Sequence, residues 1–388
     1  MTDPLQWIDD ELEALDRMGL RRKRREVTPL ADGRCRVEDR ELLNFASNDY
    51  LNLAHDPRVV AAAREALDRA GAGATASALV SGRTPWHVNL ENRLARFERQ
   101  PAAVLFPSGF AANVGTICAL AGTDDTIFSD RLNHDSLIDG CRLSQARLRI
   151  YGHDDLAGLE GELGKCPARG RRLIVTDSVF SMDSDLAPLP ALCDLAERYE
   201  AILLVDEAHA TGVFGEGGRG VAELQGVEDR VTVRIGTLSK AVGVLGGFVA
   251  GPQSLIDWLW NRARPQIYST SLPPAACAAA RAALEIIETE PERRRYLLQL
   301  AGEFRGKLAE AGVKTVRNGA GPIVPILLET PERAMQVARQ LEQEGFLVAA
   351  IRPPTVPAGA SRLRITLTSG HRPADAAALA VALERILS

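Results

Sequence analysis

The apolar positions of this chain fall into two rhythms. In the middle of the chain, short apolar or β-branched runs read as buried strands: Ala102–Phe106, Thr126–Asp130, Arg172–Thr176, Ile202–Val205 and Val231–Ile235. Helical spacing lies between them, in a helix beginning near Ala111 and another over Leu189–Tyr199. This alternation, from about Val104 to Ala250, predicts an α/β fold, a mostly parallel sheet with helices on both faces. Ahead of it, Asp3 reads as a cap and Pro4 as the first helical residue of a helix whose stripe is Trp7 or Ile8, Leu12, Leu15 and Met18. A β-like stretch (Cys35–Phe45), a loop (Ser47–Leu53), a helix opened by Asp56-Pro57 and running to about Ala70, and a helix through His87, Leu90 and Leu94 follow. Beyond Gly251 helices dominate: Pro252–Arg262, Pro273–Glu288 and Pro291 to about Ala311. Three short strand-like runs then appear, Ile323–Leu328, Phe346–Ala350 and Leu363–Leu367, as expected of a smaller C-terminal α+β domain on an antiparallel sheet. The expected division is an N-terminal helix and arm over 1–48, a large α/β domain over 49–290 and a small domain over 291–388.

Composition narrows the class. A chain of 388 residues with 46% hydrophobic and 25% charged positions is that of a globular protein with a large core. A net charge of −5 gives no reason to expect nucleic acid or an anionic membrane as partner. The basic run Arg21–Arg25 is a local exception, read either as a solvated helix face or as a contact for an anionic substrate. The six cysteines are scattered without C-x-x-C spacing, which argues against a disulfide framework or a zinc knuckle; no metal-ligand set is expected. No apolar run approaches the ~20 residues that span a bilayer, and the acidic N-terminus does not read as a signal peptide. The expected location is cytoplasmic.

Candidate chemistry collects just past the strand ends, the edge where open α/β sheets place ligands. The run Ile202–Val205 stops on Asp206, and His209 follows; Val231–Ile235 stops before Thr237, Ser239 and Lys240. Lys240 lies in an apolar, glycine-rich segment with no other charge nearby, where desolvation lowers an amine's pKa and suits it to Schiff-base chemistry. The Pro107-Ser108-Gly109-Phe110 junction joins a strand to a helix, a natural anion site. A lysine, a buried carboxylate for a ring nitrogen, an anion site and a residue to cover a ring are what pyridoxal 5'-phosphate requires. Asp206 supplies the carboxylate, and His209 can bond the cofactor's phenolic oxygen. Thr237 and Ser239 can join Ser108–Phe110 on the phosphate, and His134 is the candidate for stacking. The glycine-rich stretch Gly71–Gly82 reads equally as a flexible loop or as a close-approach surface. VDEAH (Val205–His209) also occurs in DEAH-type NTPases, but that chemistry needs an upstream G-x-x-x-x-G-K-[ST] phosphate loop, and the nearest string, Gly161–Cys166, has the wrong spacing.

With these residues in place, the chain resembles the α-oxoamine synthases, pyridoxal-phosphate enzymes of fold-type I, over nearly its whole length. The matching strings are NDYLNL, SGFAANVG, LNHDSLIDG, DSVFSMDSDLAPL, VDEAHATGVFGEGGRG, GTLSKAVGVLGG and YSTSLPP. The resemblance implies decarboxylative condensation of an amino acid with an acyl thioester. It also implies that Lys240 carries the cofactor, Asp206 pairs with the pyridinium nitrogen, His209 with the phenolic oxygen, and His134 stacks on the ring. Ser108, Gly109, Phe110 and Thr237 would hold the phosphate, and Ser181 would lie near the cofactor. Arg364 would bind the amino-acid carboxylate, Thr355 and either Arg21 or Arg22 the acyl substrate, and Asn48 would lie in the active-site loop. A homodimer is implied, with Ser269 or Thr270 lent to the neighbour's phosphate. The string Ala350–Leu367 is most similar to members that join L-alanine to a pimeloyl thioester, carried on coenzyme A or on an acyl carrier protein; glycine with acetyl-CoA is the alternative pair.

Overall fold

Continuous apolar runs on consecutive strands give the middle of the chain a sheet that is buried on both sides. The computed structural model describes residues 3–166, 169–316 and 319–388. Among them the strands are β1 (Thr28–Leu30), β2 (Arg34–Val37), β3 (Arg40–Asn44), β4 (Ala102–Phe106), β5 (Thr126–Asp130), β6 (Arg147–Tyr151), β7 (Arg172–Asp177), β8 (Ala201–Asp206), β9 (Val233–Thr237), β10 (Gly247–Gly251), β11 (Ile323–Glu329), β12 (Phe346–Leu347), β13 (Ala349–Ile351) and β14 (Ser361–Thr366). The chain forms two compact units: residues 48–181 with 185–296, and residues 1–47 with 182–184 and 297–388. The division falls inside the helix Glu292–Glu310.

The larger unit holds a seven-stranded sheet in the order β4-β10-β9-β8-β7-β5-β6. All pairs are parallel except those of β10, which runs antiparallel to β4 and β9. Leu173, Val175, Leu204, Val233, Ile235 and Val249 pack in one cluster with Ile117, Ile256 and Leu259 of the helices Gly109–Leu120 and Gln253–Arg262. The alternate residues Ile174, Leu203, Val205 and Phe248 are just as buried and lie outside that cluster. Both faces are therefore covered, as a parallel sheet requires. Two strands have no counterpart in the sequence reading. The first, β10, begins and ends on glycines whose backbone is approached closely: a Cβ on Gly247 would lie 2.4 Å from the Ser108 carbonyl oxygen, and one on Gly251 would meet Leu255 Cδ2 at 2.8 Å. The second, β6, is an edge strand carrying Arg147 and Arg149, charges that blunt an exposed edge and hide its apolar alternation. β9 also begins two residues later than expected and takes in Thr237.

The smaller unit has two sheets. β11-β14-β13 is antiparallel, and β1-β2-β3 is an antiparallel meander that β12 joins in parallel through β3. The run expected as one strand over Phe346–Ala350 is therefore two, with buried Val348 between strands of different sheets. The first helix starts at Gln6, not Pro4: Asp3 accepts from the Leu5 amide at 2.9 Å inside a preceding turn and does not cap it. Its inward stripe is Ile8, Leu12 and Leu15, while Trp7 and Met18 are exposed. Asp56 does cap the helix Pro57–Ala70 in the larger unit, accepting from Arg58 N.

One buried charge cluster sits on the larger sheet. The Arg234 guanidinium on β9 lies 3.1 Å from Glu98 and 3.4 Å from Glu228, which Arg219 also holds at 2.7 Å. Burial outweighs the pull of Arg234, with Glu207 and Glu228 opposing it further, and the Glu98 carboxyl is pushed up to about 7. A carboxyl whose folded pKa lies above its unfolded value of 4.5 favours folding below that value and loses this contribution as pH rises through 7. Wild-type stability should therefore fall by on the order of 2 kcal/mol between pH 5 and 8 from this group. In Glu98→Gln that part of the pH dependence should vanish, measured by urea melts at both pH values; parallel pH dependences in the two proteins would refute the assignment.

Candidate active site

Parallel pairing sets the carboxyl ends of the central strands side by side. Asp177 on β7 is the register partner of Asp206 on β8, which in turn faces Ile235 on β9. Asp206 is buried, and each oxygen has a fixed donor: Oδ1 accepts from the Ala208 amide at 2.7 Å, Oδ2 from Asn113 Nδ2 at 2.6 Å. Donors aimed at a carboxylate are what make its burial tolerable. Asn113, also buried, comes from the helix Gly109–Leu120 and donates a second hydrogen bond to Ser136 Oγ at 2.8 Å. Ser136 Oγ lies 2.7 Å from His134 Nδ1.

His134 caps the helix Asp135–Leu143, its Nδ1 accepting from Ser136 N, while its own amide donates to Asp177 Oδ2 at 2.7 Å. The ring is open to solvent on one side, yet desolvation by the protein on the other lowers the imidazole's pKa; Asp206 opposes this and Lys240 reinforces it. Asp177 is held well above the carboxylate range, first by burial and then by the Asp206 charge, against the pull of the His134 amide and Lys240. Lys240 thus bears electrostatically on both. It sits half-buried in the loop after β9, which closes on itself through Leu238 N to Gly246 O and Val244 N to Leu238 O.

The string VDEAH divides its labour. His209 Nδ1 lies 2.6 Å from the hydroxyl of fully buried Tyr50. Glu207 turns away: its two oxygens accept from the Val221 and Ala222 amides at 3.0 and 2.8 Å and cap the short helix Val221–Leu224.

A second corner gathers Ser108, Gly109, Phe110, Thr237 and Ser239. Ser108 caps the helix, accepting from Ala111 N at 3.1 Å. The amides of Gly109 and Phe110, the first of that helix, make no hydrogen bond among the described residues. A Cβ on Gly109 would lie 3.1 Å from Thr237 Oγ1, so the two residues meet here. Thr237 Oγ1 donates to Gly246 O at 2.9 Å and is 2.8 Å from Ser239 Oγ.

Other predicted residues fall as follows. Asn48 Oδ1 lies 3.4 Å from the Tyr50 hydroxyl, and Ser181 is half-buried on the turn after Phe180. Ser269 and Thr270 line a small crevice with Arg83, His87, Pro107 and Gln266, where Thr270 pairs with Ser77 of the glycine-rich stretch. In the smaller unit, Arg364 is buried on the central strand β14, with Thr366 Oγ1 3.4 Å from Nη1. Of the two candidate arginines, Arg21 pairs with Asp16 at 2.6 Å, while Arg22 donates to Thr355 Oγ1 at 3.2 Å.

Asn113, Ser136, Asp177 and Tyr50 received no role from the sequence. For Asn113 a signal existed: a polar side chain within the apolar helix GFAANVGTICAL must find a partner if it is buried. A separate cluster joins His153 to Asp130 at 3.1 Å and Asp185 at 2.6 Å, with Asp154 further off. The two aspartates lift the imidazole to about 10, which favours its protonated, ion-paired form.

Comparison with known proteins was made against this geometry. The family described as aminotransferase class I and II matches residues 40–383. The 8-amino-7-oxononanoate synthase of Anaeromyxobacter dehalogenans (strain 2CP-1) is 51% identical over 383 residues, 99% of this chain and 96% of that protein. The protein of the same name from Geobacter sulfurreducens is 49% identical over 381 residues, 98% and 97% of the two chains. A solved structure of S. paucimobilis serine palmitoyltransferase with bound PLP–myriocin aldimine superposes with a TM-score of 0.94 at 30% identity, covering 99% of this chain and 98% of that one. Identity of this degree over the full length, on one shared fold, places the chain in the class I and II aminotransferase family, among the 8-amino-7-oxononanoate synthases.

Proposed function

We propose that this enzyme condenses L-alanine with a pimeloyl thioester, releasing carbon dioxide and the free thiol, with Arg22 and Thr355 on the acyl substrate. The reaction class is a pyridoxal-phosphate-dependent C-acyl transfer with decarboxylation. The substrates follow from the product named by its relatives, a nine-carbon acid with its amine on carbon 8 and its ketone on carbon 7. Alanine's three carbons plus pimelate's seven, less one lost as carbon dioxide, give nine with the amine where the name puts it. Glycine would leave the chain one carbon short.

The observation that carries the site is the Asp206 carboxylate, buried with one donor on each oxygen, beside the Lys240 loop. The residues present fit the cofactor. Two helix-start amides with Thr237 and Ser239 suit a phosphate, a glycine at the corner leaves room for it, and an anionic carboxylate at the sheet edge suits a ring nitrogen. When bound, pyridoxal 5'-phosphate supplies an aldehyde for amines and an electron-withdrawing ring that stabilises negative charge on the amino acid's α-carbon. Lys240 Nζ holds the aldehyde and, when free, moves the α-proton. Asp206 keeps a proton on the ring nitrogen. His134 covers the ring, and His209, with Tyr50 donating to its Nδ1, presents Nε2–H to the phenolic oxygen. Ser181 and Asn48 border the cofactor. Arg364 takes the amino-acid carboxylate, a pairing for which a guanidinium is geometrically suited.

A homodimer completes this reading, with Ser269 or Thr270 offered to the neighbouring copy's phosphate. Leu79, Val80 and Tyr268 expose apolar side chains around the Ser77–Thr270 pairing, as an interface would. The compartment proposed is the cytoplasm; among the described residues no helix is long and apolar enough to cross a membrane. The thioester carrier is coenzyme A or an acyl carrier protein, and the basic run beginning at Arg21 suits either anion.

Borohydride reduction followed by peptide mass spectrometry should place the cofactor on Lys240 in wild type and nowhere in Lys240→Ala. Product analysis should give the nine-carbon aminoketone from alanine and pimeloyl-CoA; turnover with glycine and acetyl-CoA alone would overturn the substrate assignment. Arg22→Ala should raise KM for the thioester by roughly 10- to 100-fold, the loss of a charge-assisted hydrogen bond. Arg21→Ala, whose partner is Asp16, should stay within about twofold of wild type, as exposed ion pairs usually do. Equal effects of the two substitutions would defeat the choice between them.

A further inference from the structure

We infer that Asn113 and Ser136 are positioning residues that carry the requirement of the Asp206 carboxylate to His134 and hold that imidazole as its neutral Nε2–H tautomer. The inference rests on the cofactor site described above and adds to it two residues with no contact of their own to the reacting atoms.

The chain of donors allows one assignment. Asp206 Oδ2 can only accept, so at 2.6 Å the Asn113 group facing it is the amide nitrogen. The same nitrogen spends its other hydrogen on Ser136 Oγ at 2.8 Å. The Ser136 hydroxyl lies 2.7 Å from His134 Nδ1 and donates there, because a backbone amide, which can only donate, faces the same nitrogen and marks it as an acceptor. The Ser136 backbone amide also donates to that nitrogen, at 3.3 Å. Nδ1 is therefore an acceptor twice over, and the ring proton of the neutral form lies on Nε2. The network is dry. Ser136 is fully buried and Asn113 nearly so, and among the described residues Asn113 Oδ1 has no hydrogen-bond partner, so the amide's bonds within the protein are the two its nitrogen makes. The ring is anchored at its backbone as well, through the His134 amide on Asp177. Desolvation, with Lys240 in support and Asp206 and Asp135 opposing, lowers the His134 pKa in the same direction.

The consequence is chemical. A neutral ring over the cofactor adds no positive charge that would compete with the protonated pyridine nitrogen for Asp206. Its Nε2–H is then a donor directed away from the buried network.

The test uses protein labelled with ¹⁵N-histidine, as holoenzyme and after cofactor removal, with His134→Gln to assign the signal among the six histidines. Wild type should show an unprotonated Nδ1 and a protonated Nε2 at neutral pH. In Ser136→Ala, where only the 3.3 Å backbone contact remains, both signals should move to the averaged positions of mixed tautomers. Turnover should fall about fivefold, the equivalent of ~1 kcal/mol for one hydrogen bond, with KM for the amino acid changed less than twofold. Asn113→Ser should shift the same signals and also move the pH at which the bound cofactor's absorbance changes. Retention of the wild-type pair of signals in both variants would overturn the inference. Failure of the wild type to take up pyridoxal phosphate would instead defeat the functional reading, and the cofactor-free spectra would still judge the relay.

Discussion

A carboxylate cannot be buried without donors, and this site is arranged around that constraint at Asp206. The cost of burying an unpaired ion is several kcal/mol even after relaxation, so each oxygen is met by a fixed N–H, one from its own turn and one from a neighbouring helix. Pairing of β7 with β8 then brings Asp177 alongside. Burial and the Asp206 charge beside it hold the Asp177 carboxyl well above the usual carboxylate range. Its oxygen receives the His134 amide, which fixes the imidazole at the same edge. A slip of one residue in β8 would replace Asp206 by Val205 or Glu207 and turn every side chain to the other face. Register is thus what sets the two carboxyls side by side at one sheet edge.

This explains which features could be read from the sequence. Asp206, Thr237 and Lys240 were legible because they end or follow apolar runs, and the end of a parallel strand is where chemistry collects. Asn113 was not, because its partner Asp206 is 93 positions away and its link to Ser136 spans 23. Such bonds are set by packing of the helix on the sheet and leave no periodic trace. Tyr50 is hidden for the same reason, meeting His209 across 159 positions. β10 escaped because glycines that serve close backbone approach look like loop residues when the approaching chain is unknown. The single run over Phe346–Ala350 concealed two strands, since apolar continuity says nothing about which sheet receives each half.

Ambiguity between Arg21 and Arg22 has a different origin. Both follow the first helix in irregular chain, where no helical or strand period distinguishes one side from the other. Only partners separate them, and the nearby acid at Asp16 claims Arg21. Arg22 instead meets Thr355, more than three hundred positions along the chain, a contact that no local pattern announces.

The string VDEAH shows the same principle at its sharpest. In a nucleotide-hydrolysing site an acid following the strand-end aspartate has to face metal-bound water. Here the Glu207 carboxylate is buried and both its oxygens are occupied by the Val221 and Ala222 amides. A Cβ on Gly220 would strike that carboxylate at 2.6 Å, and Gly220 holds φ +114°, so the turn that brings the two amides to Glu207 requires glycine. The same acid that would organise water in one fold is consumed as a structural cap in this one. With Glu207 withdrawn, Asp206 and His209 are the polar groups of the string left past the strand end, the acid held by Asn113 and Ala208 and the imidazole beside Tyr50.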